Sequence, residues 1–251
     1  MIGRSIALGA VLAALTAAPA AAQLPTPDPA IYVPNYAEMI AQNTFLRQSL
    51  GQPGGGTRAP RKPPKKARSK VKTPTAAQRK TLRFGDDASV SAEVNQFFVE
   101  NFAAPGVPPE TVVTDLNRLR EMGAADLKGL GWSRRHLGDV AAYALFVSYL
   151  VANQTTRAPK QGVRLLRRAV TDELALDKAV RRRSDGEQQR LAELLLLRVG
   201  YYVGWSNDLA AKGDPDGAEI VRRDMVRFTR SVYGVDVSTV KLTAKGFSAK
   251  K

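Results

Sequence analysis

Val140-Ala-Ala-Tyr143-Ala-Leu-Phe146-Val-Ser-Tyr-Leu150-Val151 carries no charged side chain. A bilayer-spanning helix needs about 20 such residues, so the run is too short to cross a membrane. A helix apolar on every side belongs in the middle of a bundle, with other helices packed around it. Ser133 is the candidate N-cap, and the spacing carries the helix to about residue 155.

Helical periodicity with caps surrounds this run. Residues 89–102 place Val90, Val94, Phe97, Phe98 and Phe102 on one face. Residues 110–122 follow Pro108-Pro109 and are expected to stop at Gly123. A further stretch covers 160–183, with a break near Thr171. Ser184-Asp-Gly-Glu187 fits a capping box, in which hydroxyl and carboxylate satisfy free amide donors, and opens a helix to about Lys212 and Gly213. Asp214-Pro215 opens the last helix, which Gly234 closes. The expected fold is all-α: a single bundle of five or six helices over 84–234, followed by a C-terminal tail at 235–251 that is loose beyond Phe247.

The N-terminal third reads differently. Residues 1–22 combine Arg4, an apolar run and a small-residue Ala20-Ala-Ala22 end, the pattern of a cleaved export signal, which places the mature protein in the periplasm or outside the cell. Prolines at 25, 27, 29 and 34 make 23–35 an extended spacer. Residues 36–50 have the spacing of an isolated short helix. Residues 51–83 hold Gly54-Gly-Gly56, Pro60, Pro63, Pro64 and Pro74 with few large aliphatics, and are expected to be a disordered basic linker.

The net charge of +15 is concentrated in that linker. Eleven basic residues and no acid occur there: Arg58, Arg61, Lys62, Lys65, Lys66, Arg68, Lys70, Lys72, Arg79, Lys80 and Arg83. Residues 84–251 hold 25 basic and 21 acidic residues and are nearly balanced. A mobile polycation attracts polyanions through counterion release, with strong salt dependence and little sequence preference. The run lacks aromatics, which argues against nucleic acid bound by base stacking. The expected partners are an anionic envelope polymer or a lipid surface, with the bundle free to meet a protein.

Composition excludes much chemistry. There is no cysteine and one histidine, which removes disulfides, thiolate nucleophiles and the usual zinc sites. No P-loop or dinucleotide fingerprint occurs, so neither a metal nor a cofactor is expected. His136, Asp139 and Tyr143 follow one stripe of the central helix and form a possible polar site, with a hydrogen-bonded brace as the plainer reading. Gly200-Tyr-Tyr-Val-Gly-Trp205 offers close helix approach, with Ala141, Ala144 or Ala152 as facing surface, and aromatics suited to a core or a cleft. Glu93, Glu100 and the Asp172-Glu173 pair are the carboxylates a glycan hydrolase would need.

The signal, the Pro- and Lys-rich lead and a cysteine-free helical region with Asp139-Val-Ala-Ala-Tyr143, Val151-Ala-Asn-Gln154 and Gly200-Tyr-Tyr-Val-Gly-Trp205 resemble uncharacterised exported bacterial proteins with a helical domain of unknown function. The resemblance covers about 89–234 and implies no active site. The expectation is a secreted or periplasmic, non-enzymatic helical module with a basic tether. The alternative is a cell-wall hydrolase using a carboxylate on the bundle.

Overall fold

The computed structural model describes residues 73–103 and 106–250. Eight helices are described, in the order α1 Ala76–Lys80, α2 Ala88–Phe102, α3 Pro109–Gly129, α4 Leu137–Ala152, α5 Lys160–Leu176, α6 Lys178–Arg181, α7 Asp185–Lys212 and α8 Pro215–Tyr233. A hairpin of β1 Val240–Thr243 and β2 Gly246–Ala249 follows. The signal, the spacer, the 36–50 helix and residues 51–72 lie outside the described residues.

The uncharged run becomes the central helix. Fourteen of the sixteen residues of α4 are buried, and α3, α5, α7 and α8 all pack against it. The amphipathic helices α5 and α8 turn their apolar stripes inward, through Val163, Leu166, Val170 and Leu174 on one and Val221, Met225, Phe228 and Val232 on the other. Beside this main core, Val94, Leu116 and Leu197 form a smaller one where α2 and α3 meet α7.

Local chemistry explains the ends. Ser184 and Glu187 make the expected capping box at α7, and Asp214 caps α8 through the Gly217 amide. Gly213 and Gly234 terminate these helices at φ 65° and 66°, a left-handed conformation that costs a side-chain-bearing residue more than glycine.

Several boundaries move. Gly123 does not stop α3 but lies inside it, where a Cβ would come within 2.5 Å of Leu196 Cδ1; the missing side chain serves helix approach rather than a cap. The N-cap of α4 is His136, whose Nδ1 accepts from the Asp139 amide, rather than Ser133, and the helix ends at Ala152. The break expected near Thr171 falls at Asp177, whose carboxylate caps the short α6. Two short helices, α1 and α6, bring the described count above five or six.

The C-terminal tail is not loose. Val240 pairs with Ala249 and Leu242 with Phe247 in an antiparallel ladder. Leu242 is buried, its amide donates to the Tyr149 hydroxyl at 3.1 Å, and Phe247 packs on the Tyr149 ring at 5.5 Å. The hairpin lies against α5, so closely that a Cβ on Gly162 would stand 2.2 Å from the Thr243 carbonyl oxygen.

The linker also ends earlier than residue 83. Thr75 and Gln78 form a capping box that opens α1, and Leu82 is fully buried in the main core with Phe84 beside it. Arg79, Lys80 and Arg83 thus belong to the folded domain, while the other eight basic residues of the run lie outside the described residues.

Candidate functional site

The segment after α1 is fastened by backbone bonds. The Leu137 amide donates to the Leu82 carbonyl at 2.8 Å and the Phe84 amide to the Arg135 carbonyl at 3.2 Å. This antiparallel bridge sets Arg83 directly opposite His136, the pairing in which two side chains share a face. Buried Gln188 on α7 adds a bond from its amide nitrogen to the Thr81 carbonyl at 2.9 Å. Two regions that the sequence keeps apart, the end of the basic run and the His136 stripe, are therefore neighbours.

Asp139 is the electrostatic centre of this junction and is only 2% exposed. Arg167 on α5 donates to it from Nε at 2.7 Å and from the terminal nitrogen at 2.8 Å, and the Ser133 amide donates at 2.8 Å. His136 Nδ1 lies 3.4 Å from Oδ1. Burial alone pushes the Asp139 carboxyl up, but the adjoining His136 imidazole and the hydrogen bonds from Arg167 and Ser133 outweigh it and hold the carboxyl at about 2. The Arg167 guanidinium also stacks over Trp132 at 5.5 Å. A carboxylate held this firmly in its ionised form is a brace rather than a proton shuttle.

Tyr143 does not join this pair. Its hydroxyl turns to α3 and donates to Asp126 at 2.7 Å. Burial and the neighbouring Asp126 charge push the Tyr143 phenol well up; burial likewise pushes Asp126 up, opposed by the Tyr143 bond.

On the other flank lies a small, shallow depression of about 50 Å³, open to solvent, where Phe84, Asp86, Arg134 and Arg135 meet α2, α3 and α7. Its floor is a closed polar network. Arg120 forms an ion pair with Glu193 at 2.8 Å and donates to Asn95 at 2.7 Å; Ser91 and Gln189 donate to the other Glu193 oxygen at 2.6 and 2.9 Å. At its rim, Asp86 Oδ2 accepts from both Arg134 and Arg135 at 2.5 Å. Apart from Gln189, one turn before Glu193 on α7, the partners lie far in sequence from the acids they satisfy, which is why sequence spacing reveals little of the network.

The remaining candidates each have a partner or a packing environment among the described residues. Glu93 pairs with Arg190, Glu100 accepts from Gln96 at 2.8 Å, and Asp172 pairs with Arg79 at 2.7 Å and with Arg168 at 3.7 Å. Tyr202 and Trp205 are buried, with Arg198 over the Tyr202 and Phe228 rings. Gly200 faces Leu119 of α3, whose Cδ2 would stand 3.3 Å from an added Cβ, instead of the alanines of α4, and Gly204 faces open space. No group of three or more potential metal ligands occurs among the described residues. Nor is any described helix long and apolar enough to cross a membrane.

Positive charge gathers around the junction. Exposed Lys80 and Arg83 precede it, Arg134 and Arg135 border it, and Lys160, Arg164 and Arg168 follow one another on successive turns of α5. The family model for DUF6683, a family of unknown function, matches residues 2–250, and the chain belongs to that family. No curated protein and no solved structure matches the chain.

Proposed function

We propose that this member of the DUF6683 family is an exported, non-enzymatic helical binding module, held by its N-terminal basic segment to an anionic component of the cell envelope. The observation that carries this reading is the separation of charge. Residues 58–72 hold eight basic residues and no acid, whereas the acids of the folded domain named above are engaged with arginines, capped amides or neutral side-chain donors. A segment of that kind attracts polyanions in a salt-dependent manner, and eight charges near an anionic surface contribute roughly 1 kcal/mol each. The signal-like residues 1–22 supply the compartment in which such a surface is met.

The test leaves every described element in place. A full-length chain lacking only residues 58–72 keeps α1, Leu82 and the bridge, so its fold is preserved. Retention on purified envelope fractions is then measured at low and high salt. The intact chain is expected to be retained at low salt and released at high salt, and the deletion variant to be washed off at both. Equal retention of the two proteins rejects the reading.

A further inference from the structure

We infer that the junction is itself an oxyanion-binding face, and that its occupant is an extended polymer repeating phosphate groups, which runs from the basic segment onto the folded domain. This rests on the reading of residues 58–72 as an anion-seeking element, and extends it to a surface with defined geometry.

The face already displays how it treats oxyanions. Three carboxylates on this side of the domain are each gripped by guanidinium groups: Asp86 by Arg134 and Arg135, Asp172 by Arg79, and Asp139 by Arg167. Two guanidiniums converging on a single oxygen at 2.5 Å, as at Asp86, are the arrangement that a phosphate oxygen accepts equally well. Internal acids do not exhaust the charge. Lys80, Arg83, Lys160 and Arg164 are exposed, and Arg168 keeps 70% of its side chain in solvent.

The layout is linear. Lys160, Arg164 and Arg168 stand about 6 Å apart along the α5 axis, one per turn. The stripe ends at Asp172, where α1 docks through Arg79 and presents Lys80. Residue 73, where the basic segment joins the domain, immediately precedes α1. A repeating polyanion laid along this stripe meets Lys80, Arg168, Arg164 and Lys160 in order.

The side-chain types separate this face from the segment. Five of the eight basic residues in 58–72 are lysines, point charges suited to non-specific attraction; the face is mostly arginine, whose planar fork recognises phosphate and carboxylate oxygens in pairs. A lipid surface is the weaker match, because among the described residues Leu176 is the single large apolar side chain left exposed, and nothing around the stripe would insert into a bilayer.

Two full-length variants test the inference against the reading it extends. The face variant carries Arg83→Gln, Arg164→Gln and Arg168→Gln, none of which has a strong partner; the segment variant carries Gln at the eight basic positions of 58–72. Binding of inorganic polyphosphate, poly-L-glutamate and phosphatidylglycerol vesicles is titrated across salt concentrations, with thermal melts confirming that both variants fold. The intact chain is expected to prefer polyphosphate, and the face variant to lose at least about tenfold in affinity, with the log–log salt slope falling by about 2. Unchanged polyphosphate affinity in the face variant overturns the inference and leaves the segment reading intact if the segment variant is weakened. Loss in the face variant alone supports the face and rejects the segment. Equal binding of polyglutamate, or stronger binding to vesicles than to either polymer, overturns the choice of phosphate polymer.

Discussion

Helix α4 and residues 73–84 make opposite impressions in sequence and share one core. The first is twelve uncharged residues long at its centre; the second has two large apolar residues, Leu82 and Phe84, among one proline, three threonines and three cations. Yet Leu82 and Leu137 are both fully buried, and each gives or accepts the backbone bond that joins them. The comparison shows that apolar density is a sufficient reason for a segment to be buried, but not a necessary one. A short segment can be ordered by borrowing a partner's backbone, provided that its two or three apolar side chains alternate onto one side.

The largest expected effect tests the rich half of this pair. Phe146→Ala removes a large side chain that is 2% exposed in α4, and chemical denaturation should show a loss of about 4 kcal/mol. Leu82→Ala decides whether the poor half is equal in kind. It should cost about 3 kcal/mol in the same experiment, and a value near zero would mean that residues 73–84 are not part of the cooperative unit.

Asp139→Asn probes the brace between the two regions and has a pH signature. The folded-state carboxyl is depressed to about 2 from an ordinary value of 3.8, so its stabilisation is present above pH 4 and disappears as pH falls towards 2. The variant should be about 2 kcal/mol less stable than the intact protein at pH 7 and equal to it near pH 2, a convergence that parallel denaturation series would reveal. Smallest is Thr75→Ala, which removes the cap of α1 and should cost about 1 kcal/mol, with amide exchange rising at Gln78 before it rises anywhere in α4.

The helical class and the caps were legible because they are short-range chemistry: Ser184 with Glu187, Asp214 with Pro215, glycine at 213 and 234. The central position of α4 was legible from its composition. What escaped needed a partner distant in sequence. The Thr75-x-x-Gln78 box followed by Leu82-x-Phe84 alternation was a visible signal that residues 73–84 fold, but basic composition outweighed it. The Val240-x-Leu242 alternation and the glycine at 246 likewise announced a hairpin. For the site, helical spacing brings out His136 and Asp139, whereas Arg167 and Asp126, the true partner of Tyr143, lie on other helices. The Arg120–Glu193 network carries almost no sequence signal beyond the one-turn spacing of Gln189 and Glu193, since its members come from three helices.

The bridge at Arg83 and His136 also has a mechanical meaning. Tension applied through the N-terminal segment can peel away α1, but at Leu82 it reaches two backbone bonds anchored in the first turn of the innermost helix. Past that point the load is shared by the whole bundle, so a protein held by its leading strand against flow or growth would give way all at once and not by gradual fraying.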